Sequence, residues 1–440
     1  MSVKIASEST FRRIADVILS ASKAEHALVS FGDSLDTTLR FANNQVVQHV
    51  SEQSPRVSVN AAFGKKAGSA TTNRLDNESL LETLRRAEAI ARLAPEDPEY
   101  LPPLPKQKYL DLPSFREATA EAKPMDLANR TKPVIEACER SGLVGAGIMS
   151  CGASASGIAA SSGLWGYEQA TSSEFSLTAT AEDSSGWTFN THRDVNALGI
   201  EPRTKRAVEK ALLSKAPRDL APGHYPVILE PAAVAGILGP LFFGMNAKSY
   251  YRGNSPFVGK LGSAILDSRL SVATDPTHRD LLASKFGGEG LAGRPMTWVD
   301  QGVLKQLFYD RFTAKEHNTE PTPFPGSTVV TFDGPRASSI DELVAKTERA
   351  VLVTNFWYIR SVDPKDLTVT GMTRDGTFLI ENGKIVGGVK NFRFHDSPLR
   401  CFAQVDTASA PLEAITLERG KMMLPAFKLP DFHFSSATKF

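Results

Sequence analysis

The feature that most constrains this chain is the recurrence of short, alternating apolar runs punctuated by Asn, Gly and Ser. It is sharpest in "GTFLIENGKIVGGV", where Asn382-Gly383 separates two runs of period two. An Asn-Gly pair in that place accepts the positive φ angles of a type I′ turn, so the stretch predicts an antiparallel hairpin. The runs "EHALVSFGDS", "TTLRFANNQVVQHVSEQ", "PRVSVNAAFG" and "KKAGSATTN" read the same way, with Asn43-Asn44 as a tight turn. A further hairpin is expected in "PMTWVDQGVLKQLFYD", around Asp300, Gln301 and Gly302. A chain built this way folds mainly by antiparallel pairing.

Helical periodicity is rarer. Residues 9 to 24 repeat Phe11, Ile14, Val17, Ile18 and Leu19 at three- and four-residue steps. "DNESLLETLRRAEAIARLA" sets Leu80, Leu81, Leu84, Ala87 and Ile90 on one expected face behind an Asp/Asn cap. A third helix is expected from 125 to 141, kinked or restarted at Pro133, and a fourth in "EPRTKRAVEKALLSKAPRD". Ser339 and Glu342 have capping-box spacing at the start of a fifth. Few helices beside many hairpins predict an α+β fold, with mainly antiparallel sheets flanked by helices.

At 440 residues the chain exceeds what one core can serve. The stretch "PEDPEYLPPLPK" holds five prolines, which neither continue a helix nor donate to a central strand. It predicts an N-terminal α+β subdomain over 1–95, a Pro-rich connector over 96–110, a second α+β subdomain over 111–220 and a C-terminal domain over 221–440. The last boundary is set at "LAPGHYP", before the buried-looking strand "VILE".

Charge excludes one class of partner. With 50 Lys plus Arg against 49 Asp plus Glu, no broad field draws the chain to nucleic acid or to an anionic membrane. The first residues lack the apolar core of a signal peptide and no segment offers 18 apolar residues for a span, which gives the expectation of a cytoplasmic protein without membrane contact. Cys138, Cys151 and Cys401 are odd in number and irregular in spacing, the pattern of small buried hydrophobes, not of a disulfide framework or a CxxC zinc site.

Familiar catalytic patterns are missing. "GNSPFVGKLGS" has one residue too many between its glycines for a phosphate loop and Leu261 where magnesium needs a hydroxyl. "GASASG" fails as a nucleophile elbow. The eight His are isolated, and the nearest thing to a cluster is His395 with Asp396 and Cys401. Two aromatic-rich segments remain as candidate substrate- or partner-facing surfaces: Tyr250, Tyr251 and Arg252, and Trp357 and Tyr358, with Arg374 as a further candidate. Tyr, Trp and Arg dominate interface energetics, although the same residues also rim ordinary cores.

Just before the first of these segments lies "EPAAVAGILGPLFFGMNAKSYYRG". Val234, Ile237, Leu238, Leu241, Phe242 and Met245 form a helical apolar stripe. Ala235, Gly236 and Gly239 leave an adjoining face small enough for close approach, and Pro240 predicts a kink or break.

Taken together, "RFANNQVVQ", "VNAAFGKKAGSATTN", "YYRGNSPFVGKLG" and "TGMTRDGTFLIENGKIVGGVKNFRF" closely resemble the TldD/PmbA family, in order and over nearly the whole chain. The resemblance implies a two-domain α+β subunit that assembles as a dimer. It also implies zinc metallopeptidase relatives that act on unfolded or small peptides through HExxxH on a helix and a distal cysteine. Aligned through "YYRGNSPFVGKLG", the ligand positions fall at Leu238 to Phe243 or one residue later, where no His, Glu, Cys or Asp stands. Cys401 lies too early to be the distal ligand, and the tail after it has no cysteine. The resemblance therefore implies a TldE/PmbA-type subunit with no catalytic residue and no metal of its own, and with zinc in a TldD-like partner. The expected partners are that homologue in a heterodimer, or a second copy in a homodimer, and a peptide substrate. Two other readings stand beside this one: a homodimeric peptide-binding regulator in the style of a gyrase modulator, and an enzyme using His395 and Cys401.

Overall fold

The structure is a computed structural model that describes residues 4–416 and 420–438. The first half contains α1 (Glu8–Ala21), β1 (His26–Ala42), β2 (Gln45–Phe63), β3 (Lys66–Thr72), α2 (Asn77–Leu93), α3 (Glu117–Ala120), α4 (Pro124–Arg140), β4 (Val144–Ala160), β5 (Trp165–Thr180), β6 (Ser185–His192) and α5 (Ile200–Leu213). Its strands make one six-stranded sheet in the order β3-β2-β1-β4-β5-β6, antiparallel throughout. The expected turn at Asn43-Asn44 is present, with φ of 51° and 57°. The runs that meet at Leu35 and Asp36 merge into β1, and those that meet at Ser54 merge into β2, so four sequence signals become three strands.

Strand length decides how this sheet is covered. At roughly 3.4 Å per residue a strand the size of β1 spans roughly 55 Å, more than twice what a four-turn helix covers. The odd-numbered residues of β1 therefore meet two helical layers laid end to end. Val29 and Phe31 pack with Phe11, Ile14 and Ile18 of α1 and with Leu80 and Leu84 of α2. Leu39 and Phe41 pack with Leu127 and Val134 of α4 and with Ala207 and Ala211 of α5. Because β1 pairs with β4 along its length, residues before and after the proline connector share one sheet. What divides 1–95 from 111–220 is the connector in the chain, with no break in hydrogen bonding.

The second half contains β7 (Gly223–Leu229), α6 (Pro231–Gly244), α7 (Ala247–Tyr251), β8 (Leu270–Thr274), β9 (Met296–Asp300), β10 (Val303–Leu304), α8 (Arg311–Glu316), β11 (Thr328–Phe332), α9 (Ile340–Ala345), β12 (Arg349–Asp363), β13 (Thr368–Glu381), β14 (Lys384–Gly388), β15 (Phe392–Asp396), α10 (Pro398–Cys401), β16 (Thr407–Thr416) and β17 (Gly420–Ala437). These strands form one sheet of eleven, and within it β17-β15-β13-β12-β7 closes on itself through a second pairing of β7 with β17. Among the described residues, β7–β12 and β11–β17 are the only parallel pairings between these strands. The fold is thus α+β and mainly antiparallel. The Asn382-Gly383 hairpin joins β13 and β14 with φ of 50° and 76°. The expected cap also forms: Ser339 Oγ accepts from the Glu342 amide at 3.1 Å, while the Glu342 carboxylate turns back to the Ser338 amide.

The sequence allowed a kink or an interruption at each of two prolines, and the interruption does not occur. The helix around Pro133 and the helix around Pro240 both run unbroken. Each proline loses one intrahelical bond, and tertiary packing of Thr131 and Val134, or of Gly239 and Leu241, holds the turn in place. Ile90 is 47% exposed, because α2 closes its contact with the sheet at Ala87 and Ala91. No helix of the described residues is long and apolar enough to cross a membrane.

Candidate functional site

α6 is apolar all round, and its burial shows why. Val234, Ile237, Leu238, Leu241 and Phe242 lie in the C-terminal core, as the stripe predicts, but Ala233, Ala235 and Gly239 are buried as well. The least covered line is Ala232, Gly236, Pro240 and Phe243, at steps of four, four and three, and Phe243 is 67% exposed. This line of small residues opens on a cleft of about 630 Å3.

The other side of the cleft is β12. It runs parallel to β7 as far as Val353, where the Glu230 amide donates to the Val353 carbonyl at 3.0 Å and the chain turns into α6. Beyond that point no strand among the described residues pairs with the outer edge of β12. Asn355 to Ser361 run along α6 as an open edge with register shifts on both sides of Trp357. Gly236 is the point of closest approach: a Cβ there would sit 3.0 Å from Ile359 Cδ1. Tyr358 holds φ of 56°, an uncommon value for a large side chain, and it lies within one of these irregularities.

Trp357, Tyr358 and Arg374 meet at the rim. The Arg374 guanidinium lies 4.5 Å from the Trp357 ring centre, the Trp357 and Tyr358 rings are 5.6 Å apart, and Arg360 covers Tyr358 at 4.1 Å. This ladder is half exposed. Trp187 and Phe189 of β6 complete the lining from the N-terminal half.

A buried polar network underlies the apolar lining. Asp375, beside Arg374, accepts from Ser185 Oγ at 2.9 Å, and burial pushes its carboxyl above the usual range for an aspartate. Lys210 of α5 is buried, donates to the Glu230 carboxylate and, at 3.0 Å, to Thr354 Oγ1, and burial lowers its ammonium below the ordinary lysine value. Glu230 is the residue immediately before α6, so its ion pair ties the start of that helix, and with it the cleft, to α5.

Tyr250, Tyr251 and Arg252 are not among the cleft residues. Tyr251 stacks on His317 and meets the Tyr309 hydroxyl at 3.0 Å, and the Tyr250 hydroxyl accepts from the Gly259 amide at 3.3 Å. Arg252 and Lys248 reach Glu99 at 3.8 Å and 2.8 Å. Glu99 belongs to the proline-rich connector, so this segment clamps the connector to the C-terminal half. His395 and Cys401 also part company: His395 is exposed, whereas Cys401 is fully buried and burial holds its thiol well above the ordinary value.

The helix positions from Leu238 to Gly244 present only hydrocarbon and backbone. Among the described residues no group of three or more His, Cys, Asp or Glu side chains is placed to hold a metal ion. The residues at those helix positions do not fit a zinc site.

Comparison with known proteins places this geometry. The model of the PmbA/TldA metallopeptidase C-terminal domain matches residues 222–436, and that of PmbA/TldA metallopeptidase domain 1 matches residues 27–91, together more than half of the chain. The chain belongs to the TldD/PmbA family. Its fold is that of TldE from Thermococcus kodakarensis, with a TM-score of 0.86 at 19% identity over 97% of this chain and 99% of that one. A Thermotoga maritima protein named as a candidate modulator of a DNA gyrase is similar, at TM-score 0.85 and 18% identity over 96% and 99% of the two chains. By sequence, the Metalloprotease TldD homolog of Buchnera aphidicola is 23% identical over 229 residues, 49% of this chain and 46% of the relative. The chain spans about half the length of the curated relatives it matches. Within this TldD/PmbA family member, the candidates Trp357, Tyr358 and Arg374 are brought together at the cleft, whereas Tyr250, Tyr251 and Arg252 are not. Trp187, Phe189 and Asp375 carry no local sequence signal, because their approach depends on contacts across some 170 to 190 residues; the four-residue spacing of Ala232, Gly236 and Pro240 is the one hint of the cleft in the sequence.

Proposed function

We propose that this chain is a TldE/PmbA-type subunit of a TldD/TldE-type metallopeptidase complex that processes small or unfolded peptides, and that its cleft forms part of the substrate channel. One observation carries the reading: the helix positions where the resemblance puts the metal ligands, Leu238 to Gly244, offer no ligand, yet they lie beside an open cleft with an unpaired strand edge. Hydrocarbon cannot bind zinc, so the metal and its HExxxH belong to the TldD-like partner. This chain supplies walls. The open edge of β12 fits an extended peptide backbone, which such an edge binds by main-chain hydrogen bonds with little regard to sequence. The Trp357, Tyr358 and Arg374 rim would face peptide or partner.

The test is co-expression with a homologue that carries HExxxH. A 1:1 complex that cleaves casein or a short peptide, with zinc only in the homologue, is the expected result. Stoichiometric zinc in this chain, or cleavage unchanged when this chain is omitted, would overturn it. The homodimeric regulator predicts instead a self-associated chain that ignores the homologue.

A further inference from the structure

The rim of the cleft carries open charge of one sign. Consecutive residues of a regular strand point to opposite faces. The register shift between Trp357 and Arg360, with Tyr358 at φ of 56°, breaks that alternation and brings Trp357, Tyr358 and Arg360 to one side, as bulges beside binding sites do. With Arg374, which faces Asn355 from β13, the order along the rim is cation, ring, ring, cation. Neither guanidinium is spent on the fold. Among the described residues Arg374 makes no hydrogen bond, and its ion-pair contact to Asp375 Oδ2 is 3.6 Å long. Arg360 has no ion pair there and donates only to the carbonyl of its neighbour Ile359, at 2.8 Å. Each guanidinium lies over an aromatic ring, an arrangement that leaves its in-plane N–H groups free as a fork that matches a carboxylate.

The third charged residue of the lining, Asp375, does not offset them at the surface. It is 6% exposed, accepts from Ser185, and burial favours its neutral form. At the hairpin end of β12, Asp363 and Asp366 are each engaged by a backbone amide, of Lys365 and of Thr368, at 2.8 Å. Among the lining residues, then, an entering ammonium group meets two cations and a buried acid, whereas a carboxylate meets two open forks.

Resting on the reading of the cleft as part of a substrate channel, we infer that the cleft selects peptides with an acidic side chain, which Arg360 and Arg374 receive through charge-assisted hydrogen bonds. Main-chain pairing along the open edge of β12 supplies affinity whatever the sequence, and the rim adds discrimination, by attracting carboxylates and by repelling cations. The occupant is a side chain and not a chain end, because the edge is open from Asn355 to Ser361 and an extended peptide laid on it crosses the rim mid-chain. Alternate residues of such a peptide project to the same side, roughly 7 Å apart.

The test is fluorescence anisotropy of short labelled peptides on the full chain. The peptides are amidated at the C-terminus and differ only in whether their central positions hold Glu, Gln or Lys. The Glu peptide should bind roughly tenfold more tightly than the Gln peptide, and the Lys peptide most weakly. Salt near 1 M, where the Debye length falls to about 3 Å, should shrink that gap, a check that needs no variant. Arg360→Glu/Arg374→Glu should invert the order, with little change in melting because both side chains reach solvent. Equal affinity for the Glu and Lys peptides, no binding of any of them, an unchanged order in the charge-reversed variant, or a preference seen only with a free C-terminus would each overturn the selectivity. Cleavage by the reconstituted complex separates this from the subunit role. A complex that cleaves Glu and Lys peptides alike keeps the channel and sinks the selectivity, whereas acid-selective binding without any cleavage keeps the selectivity and sinks the subunit role.

Discussion

Ser185 donates its hydroxyl to the Asp375 carboxylate at 2.9 Å, tying the edge of the N-terminal sheet to a strand 190 residues later. Asp375 is 6% exposed and burial raises its pKa, so the native state holds a proton more tightly than the unfolded chain does. Such a group costs stability as pH rises above the unfolded aspartate value of about 3.9, and the cost is complete above the folded value. Asp375→Asn should therefore melt higher than the wild type at neutral pH, with the gap closing below about pH 4. Thermal melts across that range decide it; a lower-melting variant at pH 7 would mean that the Arg374 and Lys210 charges outweigh burial.

Gly236 faces Ile359 so closely that even a methyl group would press on it, at 3.0 Å. Gly236→Leu pushes four carbons into the cleft and should cost about 1–3 kcal/mol by overpacking, leaving a folded protein. If the cleft is part of the channel, peptide cleavage by the reconstituted complex should fall at least tenfold while complex formation persists. Cleavage at the wild-type rate with the variant would detach the cleft from function.

Local elements were legible because their signals are local. Asn382-Gly383, Asn43-Asn44 and the Ser339 cap each depend on a handful of neighbouring residues, and each forms as expected. At the prolines the sequence left a kink or a break open: Pro133 and Pro240 can break isolated helices, but packing around both carries the helix through them. Aromatic composition was ambiguous in a way only contacts resolve. The Tyr250 to Arg252 segment and the Trp357–Tyr358 pair look alike in sequence, yet the first is spent on His317, Tyr309 and Glu99 while the second rims a cleft. The cleft itself is assembled from β6, α6, β12 and β13, and no spacing rule connects these.

At that rim, Trp357→Ala and Arg374→Ala separate structure from recognition. The exposed cation–π contact at 4.5 Å contributes only about 0.5–1 kcal/mol to the isolated chain, so melting should shift little. A binding hot spot of this composition contributes about 2 kcal/mol or more, roughly a thirtyfold loss of affinity for partner or peptide. Titration calorimetry against the HExxxH homologue measures it, and unchanged affinity in both variants would leave the rim a mere core edge.

Lys210 and Glu230 are 4% and 7% exposed, and their ion pair anchors the start of α6 to α5. Lys210→Met strands a buried carboxylate whose other cationic neighbour, Arg206, lies 3.5 Å away, and should cost about 3–5 kcal/mol. Lys210→Met/Glu230→Gln should recover much of that loss, because neither group is then an unpaired buried charge. Denaturant melts of the single and double variants test the coupling; additive losses would show that the pair acts only through packing.

The three cysteines give a final, simple check on burial. Desolvation lifts Cys138 and Cys151 to about 11 and Cys401 further still. Since the thiolate is the reactive form, at about pH 8 only on the order of one part in a thousand of either of the first two is reactive, and access is closed besides. A chromogenic thiol reagent should label none of the three in the native protein and all three in denaturant. Rapid native labelling of Cys401 would reopen it as a nucleophile beside Asp396; slow labelling at the rate of unfolding would instead report the kinetic stability of the closed five-stranded ring against which α10 packs.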